Sequence, residues 1–578
     1  MTMSRLWKAR EILNEAIAPK SVSGQWPSLI GKILAARGFY ETDAVESLLF
    51  PKLSSLKDPL ELKGMEKALE RLGQAYLNKE KICIYADFDL DGTSGLALLK
   101  QGLIALGFPE VLHYQPKRLS EGYGFHVAAV EELHRQGVSV IITVDVGITA
   151  HAAVNRAQEL GVDVILTDHH LPADSIPEAY VIVNPNQGDC PSGLGYLCGA
   201  GVAFYLLRGL KRYFQDHPDL PKNDWDLKEV LDYFTIGTLT DMVPLVDDNR
   251  VLVKHGLVKL ENTDKAGLRA LLEELDLVNR PLTSQDVAIR FAPKLNALSR
   301  MESGVLPVDI FLLEDAAKAR SLVREVMKNN STRVQLQSSA ETEAMDLLKE
   351  WPHEEFVFVA SRNFHRGIVG LIATKLSQVY NKPAFVGSIG NDGMIVGSAR
   401  LPGGFEACLV TAMGEAAEIL SRFGGHSAAA GFEIAESRVP IFLEKLAGHF
   451  NDLREKPKPL EIFYDVDARL SDVGIQLMKW YDFVGPFGAG FTIPVIHFSQ
   501  IQILSVRELK GGHLRLRVSD QTEGSAMEAL LFTPTPQQVE CLQSAPGLFN
   551  VLGELQWNYF GGQKTVQILV KDLQPHPR

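Results

Sequence analysis

Three short runs of apolar residues each end in side chains of the metal-binding type. KICIYADFDLDG, VSVIITVDVG and VDVILTDHH all pass from an apolar run into aspartate, and the third continues into two histidines. Helical stretches connect the runs, and this alternation predicts a parallel β-sheet. Because the carboxyl ends of parallel strands line one crevice, we expect these polar side chains to lie close together.

The pattern beyond this sheet predicts further domains. Residues 1–50 suggest short helices, and residues 51–313 contain the first sheet with its helices. Residues 314–350 lack proline and glycine and predict one long connecting helix. Residues 351–455 show a smaller strand–helix pattern, and residues 456–578 show short strands typical of an oligonucleotide-binding (OB) β-barrel. The predicted fold class is therefore α/β and multidomain, with a C-terminal barrel.

Length, net charge and cysteine content limit the classes of protein to which this chain can belong. A chain of 578 residues exceeds what one hydrophobic core serves, and its net charge of -13 argues against a basic nucleic-acid coat or a polybasic membrane anchor. A local basic groove is still compatible with this charge. The five scattered cysteines form neither a disulfide framework nor a zinc motif, which favours the cytoplasm. No apolar run approaches the roughly 20 residues of a membrane span.

The candidate metal ligands form one set of carboxylates and imidazoles. So many carboxylates in one crevice would repel one another unless cations lay between them. Carboxylate together with imidazole suits Mn²⁺ or a similar divalent ion better than an all-oxygen magnesium site. We therefore predict a metal-dependent enzyme that acts on an anionic substrate. The set is Asp87, Asp89, Asp91, Asp145, Asp168, His169, His170 and Asp241.

Two alternatives account for part of this pattern. Residues 87–92, DFDLDG, match the start of an EF-hand calcium loop, but position 12 of that loop is Leu98 instead of glutamate. Residues 89–93, DLDGT, resemble the nucleophile loop of haloacid-dehalogenase-type phosphatases, in which Asp89 would be a covalent nucleophile. That alternative gives the Asp-His-His triplet no role.

The complete set resembles the DHH phosphoesterase superfamily, which is named after the triplet found here at residues 168–170. The resemblance implies two metal ions, Mn²⁺ or Mg²⁺, held by the set above, with Asp91 as an additional candidate. One hypothesis is that Asp145 bridges the ions, Asp87 and Asp241 bind one, and Asp89 with the triplet binds the other. The implied catalytic residues are Asp89, Asp145, His169 and His170.

Further motifs resemble the RecJ branch of this superfamily. In chain order they are PKRLSEGYGF, FAPKLNALSRM, NNSTRVQ, FHRGIVGLIATKL, GSAR, FGGHSAAAGF and VGPFGAGF. FGGHSAAAGF is interpreted as a glycine-rich helix start whose free N–H groups, together with its histidine, hold a phosphate. The substrate-binding residues implied by the resemblance are Arg118, Tyr123, Asn296, Arg300, His365, Ser398, Arg400, Gly424, Gly425 and His426.

The resemblance implies an exonuclease that hydrolyses single-stranded DNA from the 5′ end to mononucleotides in recombination and repair. The implied partners are single-stranded DNA, a single-strand-binding protein and a RecQ-like helicase, with no membrane. Two alternatives remain open. One is a phosphodiesterase for short oligonucleotides or cyclic dinucleotides, and the other is a non-catalytic DNA-binding member.

Overall fold

The computed structural model describes residues 5–11, 26–301, 303–405, 407–452, 460–520, 526–544, 547–560 and 563–576. Up to residue 243 the strands and helices are β1 (Arg5–Ala9), α1 (Ser28–Ala36), α2 (Thr42–Leu49), α3 (Met65–Leu77), β2 (Ile82–Ala86), α4 (Leu90–Ala105), β3 (Val111–Tyr114), α5 (Val127–Arg135), β4 (Val140–Val144), α6 (His151–Glu159), β5 (Asp163–Thr167), β6 (Val181–Val183), α7 (Gly199–Asp216) and α8 (Leu231–Asp241).

The middle of the chain is helical and contains one turn of π-helix. Its elements are α9 (Asp247–Glu261), α10 (Ala266–Glu274), the π-helical turn Asp286–Phe291, α11 (Ala292–Arg300), α12 (Pro307–Phe311) and α13 (Ala316–Leu347). The remaining elements are β7 (Val357–Ser361), α14 (Val369–Tyr380), β8 (Ala384–Ile389), β9 (Met394–Arg400), α15 (Leu409–Gly414), β10 (Leu420–Gly425), β11 (Ala429–Ala435), α16 (Val439–Asp452), β12 (Leu460–Tyr464), β13 (Val466–Ala468), α17 (Ile475–Val484), β14 (Val495–Leu509), β15 (His513–Ser519), β16 (Met527–Leu531), α18 (Pro536–Ser544), β17 (Leu548–Phe560) and β18 (Gln563–Pro575).

The first sheet is built from short, almost wholly apolar strands. Its order is β3-β2-β4-β5-β6, and every neighbouring pair runs parallel. β2 and β4 are buried along their whole length, as expected for a parallel sheet between layers of helices. The order reverses at β2, which has β3 on one side and β4 on the other. Such a switch point opens a crevice at the carboxyl ends of the strands.

The pairing register aligns the ends of four of these strands. Ala86 pairs with Val144, Val144 with Thr167, and Thr167 with Val183. The residues that follow these four therefore form one row at the carboxyl edge of the sheet. The row is Asp87, Asp145, Asp168 and Asn184.

A second sheet follows the long helix α13 and has mixed pairing. Its order is β10-β11-β9-β8-β7, with β7 and β8 parallel and the other pairs antiparallel. Phenylalanine side chains, among them Phe385 and Phe432, dominate its core. Both sheets and α13 belong to one compact unit, which comprises Lys57–Val243 and His255–Lys456.

The other compact unit comprises Met1–Leu56, Pro244–Lys254 and Pro457–Arg578. Strands β14, β15, β16, β18 and β17 are neighbours in that order, and pairing of β14 with β17 closes them into a barrel. α1 and α2 add side chains such as Ile33 and Leu49 to the barrel core. The multidomain α/β class with a C-terminal barrel is thus confirmed. No helix in the described part of the chain is long and apolar enough to cross a bilayer.

Some local predictions differ from the structure. The N-terminal segment predicted as helical begins with β1, which pairs parallel with β12, a strand too distant in sequence for local patterns to reveal. FGGHSAAAGF forms the β10–β11 hairpin, so its interpretation as a helix start is wrong. Phe560 pairs with Gln563 across the β17–β18 hairpin, and the glycines of that turn, Gly561 and Gly562, lie outside the described residues.

A buried ion pair anchors α8, the helix that ends at Asp241. Both carboxylate oxygens of the fully buried Asp232 accept hydrogen bonds from Lys265 Nζ at 2.9 and 2.8 Å. We expect Lys265→Met to destabilise the protein by about 3–5 kcal/mol, because it leaves a buried carboxylate unpaired. Urea unfolding of the full chain, followed by circular dichroism, measures this effect.

Lys259→Met is the matched control for this prediction. Lys259 pairs with Glu229 and Asp264, whose side chains are 39% and 73% exposed. An exposed pair of this kind contributes less than about 1 kcal/mol. Equal shifts of the unfolding midpoint in the two variants would contradict the assigned role of the Asp232–Lys265 pair.

Candidate metal centre

The ligand atoms of seven predicted residues converge at the carboxyl edge of the first sheet. Three groups form there, and within each group the ligand atoms, one from each residue, lie within 4.8 Å of one another. Two residues each belong to two groups, so the groups form one continuous centre. The groups are Asp87–Asp89–Asp145, Asp91–His169–Asp241 and Asp145–His169–His170.

These groups support a partition of ligands that differs from the hypothesis based on the sequence. Asp87 lies with Asp89 and Asp145, whereas Asp241 lies with Asp91 and His169. The reason is that Asp87 and Asp89 follow the same strand, while Asp241 arrives at the end of α8. The sequence alone did not place α8 relative to the sheet.

Asp145 occupies the middle of the centre in a strained backbone conformation. Its φ is +62°, a region that aspartate adopts rarely and that the surrounding structure must enforce. The N-terminus of α7 packs directly against this residue. A Cβ atom on Gly199 would lie 2.4 Å from the Asp145 Cβ, so only glycine allows α7 to approach so closely.

Two buried oxygens of the centre have no hydrogen-bond donor among the described residues. They are Oδ1 of Asp87 and Oδ1 of Asp145. His169 Nε2 lies 3.1 Å from the latter, but the angles are not those of a hydrogen bond. A buried anionic oxygen without a donor is costly unless a cation compensates it. These oxygen and nitrogen donors are ligands suited to Mn²⁺ and Mg²⁺, so the residues present fit divalent cations.

The carboxylates of the centre oppose one another's ionisation. Burial, followed by the charge of Asp89, raises the pKa of Asp87 to about 7. The same two causes raise the pKa of Asp241 to about 6. Burial and then neighbouring carboxylates hold the pKa values of Asp91 and Asp145 well above the usual range. A bound cation would remove this repulsion, so cation binding and ionisation are coupled.

The two histidines of the triplet have different environments. Burial lowers the pKa of His169 to about 4, which keeps its imidazole neutral, as a metal ligand must be. The Nε2 atom of His169 lies 3.1 Å from Asp145 Oδ1 and 3.7 Å from Asp241 Oδ2. His170 donates from Nδ1 to Asp168 Oδ1 at 2.7 Å. Although burial opposes the charged ring, this hydrogen bond and the Asp168 charge raise the pKa of His170 to about 9.

Asp168 lies in none of the three ligand groups. Its Oδ1 also accepts the backbone N–H groups of His169 at 2.8 Å and His170 at 3.1 Å, and its Oδ2 accepts the N–H of Ile148 at 3.0 Å. Although burial opposes ionisation, the hydrogen bond from His170 lowers the pKa of Asp168. The structure therefore places Asp168, predicted as a ligand, where it orients the two histidines.

Asp91 connects the centre to α7. Its Oδ2 accepts the N–H of Gly199 at 2.6 Å, and its Oδ1 accepts the N–H of Ala200 at 2.9 Å. The N-terminus of a helix favours a negative charge at this position. His169 Nε2 lies 3.9 Å from the same Oδ2. Asp91 therefore fixes α7 and also belongs to the second ligand group.

A cluster of positive charges borders the carboxylates in the same unit. Burial lowers the pKa of Arg300 to about 9, and the charges of three other arginines lower it further. Burial also lowers the pKa of Arg118, and the nearby charges of Asp87 and Asp89 oppose this lowering. This set, called here the arginine cluster, is Arg118, Arg300, Arg333 and Arg400.

The members of the arginine cluster make their direct contacts with neutral groups. In the described part of the chain, no carboxylate forms an ion pair with any of its members. The contacts are neutral: Arg300 donates to the Gly367 carbonyl at 3.2 Å, and Arg400 donates to Ser398 Oγ at 2.7 Å. Partly buried guanidinium groups without carboxylates are suited to bind a phosphate.

Two other predicted substrate residues lie close to Arg300, and a third lies close to His170. Asn296 precedes Arg300 by about one turn of α11. His365 Nδ1 accepts the N–H of Gly367 at 3.1 Å, the residue whose carbonyl binds Arg300. The Tyr123 ring is 48% exposed, and its centroid lies 5.9 Å from that of His170.

The remaining predicted residues lie on the second sheet. Ser398 pairs with Gly431, and Gly431 pairs with Gly424, so the three residues form one row across β9, β11 and β10. Gly425 has a φ of +146°, and a Cβ there would lie 2.5 Å from a backbone oxygen. His426 is exposed, but its N–H donates to the Ala429 carbonyl at 2.8 Å. The hairpin therefore offers a row of small residues beside Ser398 in place of the predicted helix N-terminus.

The predicted set omitted Arg333 of the arginine cluster and two asparagines that hydrogen-bond to the Asp-His-His triplet. Arg333 lies on α13, within the motif NNSTRVQ, but a single arginine on a long helix is usually solvated. Asn184 and Asn186 donate to the carbonyl groups of His170 at 2.9 Å and His169 at 2.5 Å. Their position in VNPN, directly after β6, is the signal that would have identified them.

This fold and site define a metal-dependent hydrolase of the DHH class. The parallel sheet carries the triplet among converging carboxylates, and a long helix leads to a second lobe. Comparison with protein families agrees with this class. Residues 81–238 match the DHH family N-terminal domain, residues 354–452 match the DHHA1 domain, and residues 464–572 match the RecJ OB domain.

Comparison with individual proteins identifies the family to which the chain belongs. The chain is 31% identical over 551 residues to the single-stranded-DNA-specific exonuclease RecJ of Bacillus subtilis, covering 94% of this chain and 67% of that one. It is 28% identical to the Escherichia coli protein of the same name, covering 98% and 99%. The crystal structure of RecJ in complex with Mn²⁺ from Thermus thermophilus matches with a TM-score of 0.80 at 27% identity, covering 100% of this chain and 80% of that one. The chain belongs to this RecJ family.

The raised carboxyl pKa values predict a pH-dependent stability of the metal-free protein. Folding raises the pKa values of Asp87 and Asp241 to about 7 and about 6, from about 3.9 in an unfolded chain. Their contribution to stability is therefore complete below about pH 4 and is lost as the pH rises through 6 and 7. We expect Mn²⁺ to raise the melting temperature more at about pH 7.5 than at about pH 5.

Two variants complete this experiment, measured by thermal unfolding with and without Mn²⁺. Asp145→Asn should reduce the Mn²⁺-induced shift, because it removes a shared ligand. Asp189→Asn should leave the shift unchanged, because Asp189 is exposed and pairs with Lys63. A shift that is equal at both pH values, or equal in Asp145→Asn and the wild type, would argue against a cation site at these carboxylates.

Proposed function

We propose that this chain is a divalent-metal-dependent exonuclease that hydrolyses single-stranded DNA from its 5′ end and releases mononucleotides. The observation that carries this proposal is the adjacency of two opposite charge clusters in one unit. The carboxylate groups are suited to cations, and the arginine cluster beside them is suited to phosphates. The names of the RecJ relatives support the same substrate.

We infer that each of two ligand groups holds one Mn²⁺ or Mg²⁺ ion. Asp87, Asp89 and Asp145 would hold one ion. Asp91, His169 and Asp241 would hold the other. When bound, such a pair supplies a water of lowered pKa and neutralises charge on the phosphate under attack. No serine or cysteine nucleophile is needed for this reaction.

His170 has a separate role in this proposal. Its hydrogen bond to Asp168 fixes the ring, and its raised pKa keeps a proton on the imidazole near neutral pH. A protonated imidazole beside the centre can donate a hydrogen bond to a phosphate oxygen as negative charge develops there. Asp168 would then act by orienting both histidines.

The arginine cluster supports attack at the 5′ end. Arg118 interacts electrostatically with Asp87 and Asp89 on one side and with Arg400 on the other. A 5′-phosphate held by Arg400 and Ser398 would therefore lie close to the ligand groups, so that the cleaved bond is near the strand end. Contacts to phosphates carry no sequence information, so cleavage would be independent of sequence and weakened by salt.

The proposal also includes a cell compartment, based on the cysteines, and protein partners, based on the family resemblance. All five cysteines have free thiols, as a reducing compartment maintains them. We place the enzyme in the cytoplasm, acting in recombination and repair. The family resemblance adds a single-strand-binding protein and a RecQ-like helicase as expected partners, and co-precipitation with the full chain tests both.

Removal of the central carboxylate should stop catalysis without removing substrate binding. We expect Asp145→Asn to lower the rate on a labelled single strand with Mn²⁺ by more than about a hundredfold, because the carboxylate belongs to two ligand groups. Binding of the strand, measured by fluorescence anisotropy, should remain, because the arginine cluster is intact.

The same assay with duplex DNA and a cyclic dinucleotide distinguishes the alternatives. A wild-type preference for the dinucleotide would favour a phosphodiesterase for small nucleotides. Strand binding without Mn²⁺-dependent cleavage would favour a DNA-binding scaffold. Comparable cleavage of duplex would refute single-strand specificity.

Arg400 should determine the preference for a phosphorylated 5′ end. We expect Arg400→Met to lower cleavage of a 5′-phosphorylated strand by about ten- to a hundredfold, since one charge-assisted hydrogen-bonding group is lost. Cleavage of a 5′-hydroxyl strand should change little. Arg422→Met, an exposed arginine of β10, is the matched control. An unchanged ratio of the two rates in Arg400→Met would contradict the assignment.

A further inference from the structure

Two large apolar side chains stand exposed beside the metal centre. Leu171 follows His170 and is 79% exposed, and Met242 follows Asp241 and is 73% exposed. Among the described residues, no other large apolar side chain is as exposed as either. Single exposed apolar residues are common on protein surfaces, but these two each directly follow a residue of the ligand groups.

The backbone around Leu171 is constrained on both sides. Asn186 and Asn184 donate to the carbonyl groups of His169 and His170, directly before Leu171. The next residue is Pro172, which restricts Leu171 to an extended backbone.

Met242 is held differently, in a conformation that is unfavourable for its residue type. Its φ is +62°, in the left-handed region that bulky residues avoid, at the end of α8. It contributes almost no buried surface in return, because most of its side chain is in solvent. Strain of this kind without a packing benefit is typical of functional positions.

The two side chains border the same centre. His169 Nε2 lies 3.7 Å from Asp241 Oδ2, which brings the two chain segments together. Consecutive Cα atoms are about 3.8 Å apart, so Leu171 and Met242 begin one residue from the ligand groups. Two exposed apolar residues thus lie directly beside ligand groups that consist of carboxylates and imidazoles.

We propose that Leu171 and Met242 contact the base and deoxyribose of the nucleotide whose phosphate lies at the metal centre. This inference rests on the proposed function. The arginine cluster and the cation sites account for the phosphates of a bound strand, so the apolar portion left to contact is the base with its sugar. Aliphatic side chains give van der Waals contact to the face of any base, without hydrogen bonds that would select one.

The test compares a normal single strand with one that carries an abasic site at its 5′-terminal nucleotides. We expect Leu171→Ala combined with Met242→Ala to reduce kcat/KM on the normal strand on the order of tenfold. The wild type should lose a similar factor on the abasic strand, and the double variant should lose little more there. Leu347→Ala is the matched control, because it removes an exposed apolar side chain at the far end of α13.

Mn²⁺ binding and the melting temperature of the double variant should equal those of the wild type, since neither side chain is a ligand or part of the core. Normal cleavage of both strands by the double variant would overturn the inference while leaving the proposed function intact. An equal loss on both strands would overturn it as well, because the contact would then not involve the base. Absence of Mn²⁺-dependent cleavage by the wild type would overturn the proposed function, and this inference with it.

Discussion

Mutual repulsion of carboxylates along one edge of a parallel sheet is the constraint on which the rest of this structure depends. The register that aligns Ala86, Val144 and Thr167 also places Asp87, Asp145 and Asp168 in one row. Each of these positions is buried, so every negative charge there needs a compensating partner. For Asp168 this partner is His170. Asp87 and Asp145 each keep an oxygen without a donor among the described residues. The cation sites follow from that difference.

The helices around the sheet supply the rigidity that such a site requires. α7 begins with its N–H groups on Asp91 and with Gly199 against Asp145, so one helix end holds two carboxylates. The buried Asp232–Lys265 pair anchors the beginning of α8, which delivers Asp241 at its end. Repulsion among the carboxylates is therefore balanced by packing and hydrogen bonds outside the ligand groups. This arrangement keeps the ligands near their positions before a cation arrives.

The charge of the whole chain conceals how its charges are distributed. A net charge of -13 suggests a poor nucleic-acid binder, yet four arginines without carboxylate partners gather beside the metal centre. They come from a loop, from α11, from the long helix α13 and from β9, so elements around both sheets of the unit would contribute to the proposed substrate site. Leu171, Met242 and Tyr123 are exposed, uncharged residues near His170 or Asp241, and they offer contacts of a different chemistry. Phosphates and bases thereby have separate places in the proposed complex.

By itself the sequence determined the parallel sheet, the long helix and the barrel, and it indicated a set of candidate metal ligands, because periodicity and strand-end position are local properties. It could not determine how those ligands divide into groups, since α8 and α7 reach the centre through tertiary packing. For the same reason the sequence could not show that Asp168, predicted as a ligand, accepts hydrogen bonds from both histidines outside the three ligand groups. FGGHSAAAGF was predicted as a helix start but forms a hairpin. The resemblance indicated Arg118, Arg300 and Arg400, but the sequence could not show that they gather with Arg333. A solvated arginine and a partly buried arginine beside other arginines cannot be distinguished before the chain is folded.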